Sequence, residues 1–582
     1  MNITRRRIPY AITNFRDIRL EDMYYVDKTM YIPKIEAANS YFFFMRPRRF
    51  GKTLLLQMLT YYYDINYAGE WDQLFGSLWI GQHPTLNRNK YLVIQLNFSV
   101  IDGGLGNYRG SMDSHCGIAF NVFCDRYEQL LPAGFKEAMN QREGAVAQLD
   151  FIYSECAKYN LPIYLFIDEY DHFTNDILAD ESKLEAYEDE THGEGYLRKF
   201  FNVMKAGSSS SIKRLFITGV SPVTMDDLTS GFNIGTNYTT HPEFNGMIGF
   251  DETEVRAMFD YYLSTGTYDK TTDEIIELIK PWYDNYCFAR ACIGQPTMYN
   301  SDMTLYFLDN YIHLGCPPDD MLDANMRSDY NKLRMLMRKD HGFGPNASTI
   351  QLITETGEIT TDIVEHFPAH DIIRHENFVS LMYYFGMLTM GRKDEDDLVL
   401  VIPNQCVREQ TFRYMMECYE HEGLSVEEHE KKMLQKGMAY RREWRPYFDY
   451  IAEALRRFTS LQDRRNGEAF VHGFTMGQTC LCKYYLPLSE EDMGTAAEGY
   501  CDLFFMPRKY LFPHMKYSYI IEFKYLRSGA SDAAVEQKRQ AAISQAQRYA
   551  RSEKVQTSLQ GTELVLLVVV YRGMEMVVCE EV

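Results

Sequence analysis

No CxxC pair occurs among the twelve cysteines of this 582-residue chain, and only Cys480 and Cys482 lie close together. That scatter excludes a zinc finger or ribbon and gives no disulfide framework, as expected of a protein of the reducing cytoplasm. No apolar run approaches the roughly 20 residues that cross a bilayer. The longest, LVLLVVVY (564–571), has the length of a buried strand, and no apolar segment of signal-peptide type follows the arginines of the opening MNITRRRIPYAITNF. A cytoplasmic protein without a membrane partner is the expectation. An excess of basic charge is missing as well: 60 Lys and Arg stand against 81 Asp and Glu, a formal charge of -21. A protein that coats nucleic acid with its whole surface is thereby excluded, whereas a local basic groove is not.

What is present is globular. Hydrophobic residues make up 46% and charged ones 24%, and 44 Tyr and 35 Phe promise extensive aromatic packing. A chain of this length should fold as about three or four domains. Charge is segregated along it. Acidic residues crowd IDEYDHFTNDILADESKLEAYEDE (167–190), whereas Arg and Lys gather in KKMLQKGMAYRREWR (431–445) and from Lys524 to Lys554.

The stretch RPRRFGKTLL (46–55) has the end of a phosphate-binding loop, Gly51-Lys52-Thr53, with Arg46 where the pattern's first glycine belongs. Before it, YFFFM (41–45) reads as a strand, and after it TLLLQMLTYYYD (53–64) has the apolar spacing of a helix. Strand, loop and helix are the setting in which backbone N–H groups and a helix N-terminus bind phosphate. The loop residues Arg49, Phe50, Gly51, Lys52 and Thr53 are expected to enclose the phosphates of ATP, with Lys52 neutralising them and the Thr53 hydroxyl on Mg²⁺. A second strand, LPIYLFIDEYD (161–171), ends in Asp168 and Glu169, which suit the metal's shell and the attacking water respectively. A third, RLFITGVSP (214–222), ends in Thr218, Gly219 and Ser221, polar groups suited to sense the γ-phosphate. With YLVIQLNFS (91–99) and helical stretches such as GAVAQLDFIYSECAKY (144–159), the alternation predicts a parallel, doubly wound sheet with ligands at the strands' carboxyl ends. An arginine completing the ATP site could come from a neighbouring subunit of a homo-oligomer, or in cis from Arg198 or Arg214.

The segments YYVDKTMYIPKIE (24–36), RPRRFGKTL (46–54), LFIDEYD (165–171) and ITGVSPV (217–223) resemble, in order and spacing, the bacterial AAA-ATPase-like proteins whose C-terminal part is a PD-(D/E)xK nuclease-like domain. In that family the Arg-Pro-Arg-Arg-Phe-Gly-Lys loop is the usual form, so the resemblance makes Arg46 a family variant of the loop. It extends to FNGMIGFDETEV (244–255) and WYDNYCFA (282–289). The expected organisation is an α/β P-loop NTPase domain over residues 1–250, a mostly helical connecting or lid region over 251–455, and an α/β nuclease-like domain over 456–582.

In the last of these, CDLFFM and YSYIIEFKY (within 498–526) read as strands, the first opened by Asp502 and the second carrying Glu522-Phe523-Lys524. Strand alternation sends Glu522 and Lys524 to one face and Phe523 into the core. One carboxylate on a neighbouring strand plus Glu-x-Lys is what metal-assisted phosphodiester cleavage requires: carboxylates for Mg²⁺ or Mn²⁺, and a lysine to orient water or meet developing charge. The resemblance carries over to Asp502, Glu522 and Lys524 as metal and catalytic positions. It matches Gln545 to the polar residue of the following helix, with Tyr549 one turn on, and Glu468 to an acidic residue of the domain's first helix. Where the family shows Gly-Arg-x-Asp, this chain has Gly499-Tyr500-Cys501-Asp502. His472 and His514 flank the region and are read as structural or exposed. Lys538, Arg539, Arg548 and Arg551 could track a DNA backbone. The reading is an ATP-dependent DNA nuclease; the alternative is a nucleotide-controlled switch whose nuclease-like domain binds nucleic acid or a protein without cutting.

Overall fold

The computed structural model describes residues 5–101, 108–172, 195–223, 234–323, 345–372, 374–421, 426–459, 468–488 and 502–582. The chain divides into two compact units, Met1–Leu336 with Thr360–Cys406, and Met337–Ile359 with Val407–Val582. The stretch 251–455, which reads in the sequence as one connecting region, is therefore shared between them.

The first unit is built on a parallel sheet in the order β2-β3-β4-β1-β5, formed by Tyr41–Met45 (β1), Leu92–Asn97 (β2), Ile163–Asp168 (β3), Ile212–Gly219 (β4) and Thr236–Asn237 (β5). Continuous apolar strands suit a sheet covered on both faces, and every residue of β3 is buried. Helices Lys52–Tyr63 (α1), Tyr108–Arg126 (α2), Gly144–Lys158 (α3) and Tyr196–Ser208 (α4) accompany the strands. Because the strands are parallel, the loop after β1, Asn97, Asp168 and Gly219 all fall at the same edge of the sheet.

Further helices of this unit include Glu252–Leu263 (α5), Thr272–Tyr283 (α6) and Ser301–Leu314 (α7). Their starts are written locally. Asp251 with Glu254 and Thr271 with Glu274 form reciprocal capping boxes, and the Asn300 side chain accepts from the Met303 N–H. Apolar residues such as Val255, Phe259, Ile275 and Phe307 are buried, which draws these helices into the P-loop unit's core.

The second unit holds a five-stranded sheet of order β10-β9-β8-β7-β6, with Tyr485–Leu488 (β6), Asp502–Pro507 (β7), Tyr517–Leu526 (β8), Glu563–Arg572 (β9) and Glu575–Glu581 (β10). Only the β8–β9 pair is parallel; helix Asp532–Ala550 (α11) makes that crossover. One face carries Leu503, Phe505, Tyr519, Ile521, Phe523, Leu567 and Val569 in a large apolar cluster with residues of helices Glu428–Arg441 (α8), Arg445–Thr459 (α9) and Glu468–Cys480 (α10). On the opposite face Ala542 of α11 packs against Val568 and Val570.

Among the described residues no helix is long and apolar enough to cross a membrane.

Candidate functional site

The loop between β1 and α1 is held open by its own sequence. Gly51, the residue preceding α1, has φ of 95°, a left-handed backbone that favours glycine. The two residues before it, both in the lining of the cavity beside the loop, are fixed by partners elsewhere in the unit. Phe50 is 1% exposed, with its ring edge-on to Tyr286 and Phe288. The Arg49 guanidinium meets Asp302 at 2.9 Å, and its carbonyl accepts from the Asp302 N–H at 3.2 Å and from the Ser301 hydroxyl at 3.3 Å. Asp323 lies 4.0 Å from the same guanidinium and accepts a hydrogen bond from Tyr10.

Arg46 explains how the loop works without its first glycine. Only 1% exposed, it donates to the carbonyls of Met45 (3.0 Å), Thr239 (2.6 Å) and Phe244 (3.0 Å) while lying between the rings of Phe44 and Phe288, 4.3 and 4.2 Å from their centroids. Burial lowers its pKa to about 10, so it stays charged at neutral pH. A side chain thus anchors the point where the chain leaves β1, a task the glycine form leaves to backbone alone.

The polar groups of the loop meet one another. The Lys52 ammonium donates to the carbonyls of Arg46 (3.0 Å) and Pro47 (3.1 Å), and the Thr53 hydroxyl donates to Asp168 at 2.8 Å. Burial raises the Asp168 pKa to about 6, with the neighbouring Glu169 charge adding to the rise and Thr53 opposing it. Burial also lowers the Lys52 pKa; Glu169, Asp168 and Asp171 act against that shift and Arg48 with it. Glu169 sits at φ of 53°, an uncommon left-handed conformation for a non-glycine residue. Its N–H donates to Asp168 Oδ1, and its carbonyl accepts from the His172 N–H. Asp168 meets Thr53 at the loop, and both carboxylates line the cavity.

That cavity has a volume of about 590 Å³, enough for a nucleotide, and Gly51, Lys52, Thr53, Asp168 and Glu169 line one part of it. Elsewhere it is bounded by Pro9 to Thr13 without Tyr10, by Tyr24 to Val26, by Met247 to Phe250, and by Ser301 and Asp302 of α7. The sequence singles out none of these as site residues, although 24–26 and 247–250 fall in segments that carry the family resemblance. They come from segments up to 250 residues away, and only the Asn300 cap ahead of Ser301 is a local signal.

The other candidates of this half fall elsewhere. Thr218 and Ser221 do not line the cavity. Both are buried, and the Ser221 backbone is locked: its N–H donates to Asp171 at 2.7 Å and its carbonyl accepts from Tyr170 at 2.6 Å. Arg214 donates to the carbonyls of Ile35 and Glu36 near the amino end of β4, and Arg198 lies on α4 outside the cavity lining. Most of the acidic stretch 167–190 lies outside the described residues.

In the second unit the antiparallel register of β7 and β8 sets Asp502 directly opposite Glu522. Glu522 is fully buried; one carboxylate oxygen accepts from Lys524 at 2.9 Å and the other, Oε1, has no hydrogen-bond partner among the described residues. The β8–β9 register pairs Glu522 with Val568 and Lys524 with Val570, so both residues stand on the face covered by α11. Phe523 is on the other face in the large cluster. Gln545 is half-buried on α11 between Ala542 and Ala546, and Tyr549 is buried under the Arg548 guanidinium. The side chains of Asp502 and Glu468 and residues 499–501 lie outside the described residues. His472 is nearly buried, edge-on to Tyr525, and His514 is exposed. On the basic helix Arg539 is taken by Glu536 and Glu580, while Lys538, Arg548 and Arg551 are exposed.

A buried carboxylate oxygen with no partner is costly unless a cation or proton reaches it, so Glu522 fits a divalent metal. The Thr53–Asp168 pair, a hydroxyl and a carboxylate beside a phosphate loop, offers the hard oxygen donors that Mg²⁺ takes.

Residues 9–229 match the model of a family described as predicted AAA-ATPase, and residues 466–581 match the PD-(D/E)XK nuclease superfamily. An uncharacterized protein encoded in the vnfD 5' region of Azotobacter chroococcum mcd 1 is 27% identical over 295 residues, 50% of this chain and 51% of its own length, so the match spans about half of that relative. Among solved structures, Cdc6p of Pyrobaculum aerophilum is similar at 12% identity over 66% of this chain and 88% of its own, with a TM-score of 0.24. The ORC2 protein of Aeropyrum pernix is similar at 10% identity over 68% and 93%, with a TM-score of 0.28. The fold assignment rests on the strand orders and on the two family matches: residues 9–229 carry a domain of the AAA-ATPase-like type, and residues 466–581 one of the PD-(D/E)XK nuclease superfamily.

Proposed function

We propose that the protein binds and hydrolyses ATP in its first unit and cleaves DNA phosphodiester bonds in its second, in the cytoplasm, with nucleotide turnover gating the cleavage. The observation that carries the nuclease half is Glu522, fully buried, with Lys524 on one oxygen and no partner on the other among the described residues, in register with Asp502. Asp502 and Glu522 would hold Mg²⁺ or Mn²⁺, which when bound supplies Lewis acidity to water and phosphate. Lys524 would orient the attacking water and meet the charge that grows on the phosphate, and Gln545 would fix that water from α11. Exposed Lys538, Arg548 and Arg551 would lie along the DNA backbone.

For the ATPase half, Gly51 and the first turn of α1 present N–H groups to the phosphates, and Lys52 exchanges two loop carbonyls for phosphate oxygens. Thr53 and Asp168 would hold Mg²⁺, and Glu169 would take a proton from the attacking water.

The test incubates the full chain with labelled linear and circular DNA, Mg²⁺ or Mn²⁺, with and without ATP, beside Lys524→Ala. Cleavage lost in the variant and dependent on ATP supports both halves and their coupling. Absence of cleavage under every condition would overturn the nuclease reading in favour of a nucleotide-controlled binding protein. Cleavage indifferent to Lys52→Ala would overturn the coupling alone.

A further inference from the structure

The basic run 431–445 takes no part in either candidate site, and much of its charge is spent locally. Lys431 is buried against Glu428 and Gln478, Arg441 meets Glu443, and Arg442 meets Glu563 and Glu581. Lys436 differs from these. It is exposed one turn before Tyr440, whose half-buried ring lies 5.8 Å from that of Tyr484. The Tyr484 ring is in turn 4.7 Å from Phe512, and exposed Lys483 holds its ammonium over both, 5.1 and 5.6 Å from their centroids. The loop between β7 and β8 that carries Phe512 adds Lys509 and exposed Lys516. The Lys516 N–H donates to the carbonyl of Ala439, beside Tyr440, at 3.0 Å, and the Lys509 ammonium donates to the Gln560 carbonyl at 3.1 Å. Buried Arg508 frames the loop: its guanidinium donates to the Lys483 carbonyl at 3.3 Å and to the Tyr510 hydroxyl at 3.0 Å, and its N–H donates to the Tyr484 carbonyl at 3.0 Å. These contacts link Lys436, Lys483, Lys509 and Lys516 at one end of the second unit's sheet. Among the described residues none of the four is in an ion pair, and Glu563, whose N–H donates to the Lys516 carbonyl at 2.8 Å, is already taken by Arg442. Such a concentration of cations, in a chain of formal charge -21, attracts a polyanion.

We propose that this end of the sheet is a second DNA contact, binding the duplex backbone at a distance from the bond that is cut. The inference rests on the nuclease reading above, which supplies the substrate. The same unit carries Glu522, Lys524 and the exposed cations of α11, which favours DNA over an acidic protein segment as the polyanion. Lys516 immediately precedes β8, and Glu522 is six residues on; at about 3.3 Å per residue the patch stands about 20 Å along the strand from the catalytic row. Duplex DNA rises about 3.4 Å per base pair, so the lysines would meet phosphates about six base pairs from the cut. Lysine suits that task, because a point charge neutralises phosphate and positions the duplex without reading bases.

The full chain and a variant carrying Lys436→Ala, Lys483→Ala, Lys509→Ala and Lys516→Ala are titrated with a fluorescent duplex of about 30 base pairs. Anisotropy is followed from about 50 to 200 mM salt, with EDTA or with Ca²⁺. Each phosphate contact contributes about 0.9 to the slope of log affinity against log salt, so the variant's slope should be shallower by about 3 to 4 and its affinity at least about tenfold lower. Replacing the same four lysines by arginine should keep the parent's slope, because the charge is what acts. An alanine variant with the parent's slope and affinity would overturn the proposal in favour of an acidic protein segment as the occupant. Weaker binding at an unchanged slope, or an arginine set that behaves as the alanine set does, would overturn it too, since packing and not charge would then have been lost. A parent that binds no duplex with EDTA or with Ca²⁺ would overturn the DNA reading itself, a result told apart from the others by the parent alone.

Discussion

Replacing Arg46 by glycine would restore the residue that the phosphate-loop pattern calls for, and it should damage the protein. The guanidinium donates to three buried carbonyls and is sandwiched between two aromatic rings. Each carbonyl left without a partner costs about 1–3 kcal/mol, and a desolvated cation–π contact contributes about 2 kcal/mol. Water entering the vacated space relieves part of the carbonyl term, and the buried charge that disappears had its own desolvation cost. A net loss of about 4–5 kcal/mol remains. For a unit of roughly 380 residues, with an unfolding entropy near 0.8 kcal/mol/K, that lowers the melting midpoint by about 6 °C. Because the same side chain fixes the start of the loop, ATP affinity should fall with it. Scanning calorimetry and titration with ATP would check both. An unchanged midpoint together with tighter ATP binding would refute the reasoning, since Arg46 would then be a flaw in the loop.

The raised pKa of Asp168 sets a pH window: the folded protein holds that proton more tightly than the unfolded chain, so the contribution to stability is full below about 4 and is lost as pH rises through about 6. Asp168→Asn should accordingly stabilise the metal-free protein at pH 7, by at most about 3 kcal/mol for a shift of about two units, and thermal midpoints at pH 4 and 7 would show it. ATP turnover, which needs the ionised carboxylate, should decline below pH 6 in a pH–rate profile. Asp302→Ala frees the Arg49 guanidinium and should weaken ATP binding about tenfold, about 1.4 kcal/mol, by titration. Lys524→Ala removes the Lys524 bond to buried Glu522; DNA cleavage should fall at least about 100-fold in the labelled-DNA assay, and added Mg²⁺ or Mn²⁺ should raise the variant's thermal midpoint more than the parent's.

What could be read in the sequence was what short stretches encode. The apolar run before the loop, the GKT at the helix start, the Asp-Glu after a buried strand and the Glu-x-Lys alternation depend on neighbours along the chain, and the structure has them on strands and a helix of those periods. Arg46 could be located but not understood, because Thr239, Phe244 and Phe288 are brought to it by tertiary packing. The same holds for Arg49 and Phe50, which line the cavity while the guanidinium meets Asp302 of α7 and the ring meets an aromatic pair. Thr218 and Ser221 follow a buried strand much as Asp168 and Glu169 do, yet Asp171 and Tyr170 tie the turn after β4 inward. Nothing in the spacing distinguishes an outward turn from one pinned by a carboxylate fifty residues earlier. The stretch holding α5 to α7 was legible only as part of a mostly helical region, while the attachment of these helices to the first unit follows from which faces they bury.

Lys52 on two carbonyls and Thr53 on Asp168 mean that the loop is already satisfied before phosphate arrives. Nucleotide binding then exchanges bonds of similar strength and creates few new ones. The heat released should be small for a ligand so highly charged, leaving displaced water as the main source of affinity. A dissociation constant that scarcely changes with temperature near 25 °C is the signature of such an exchange.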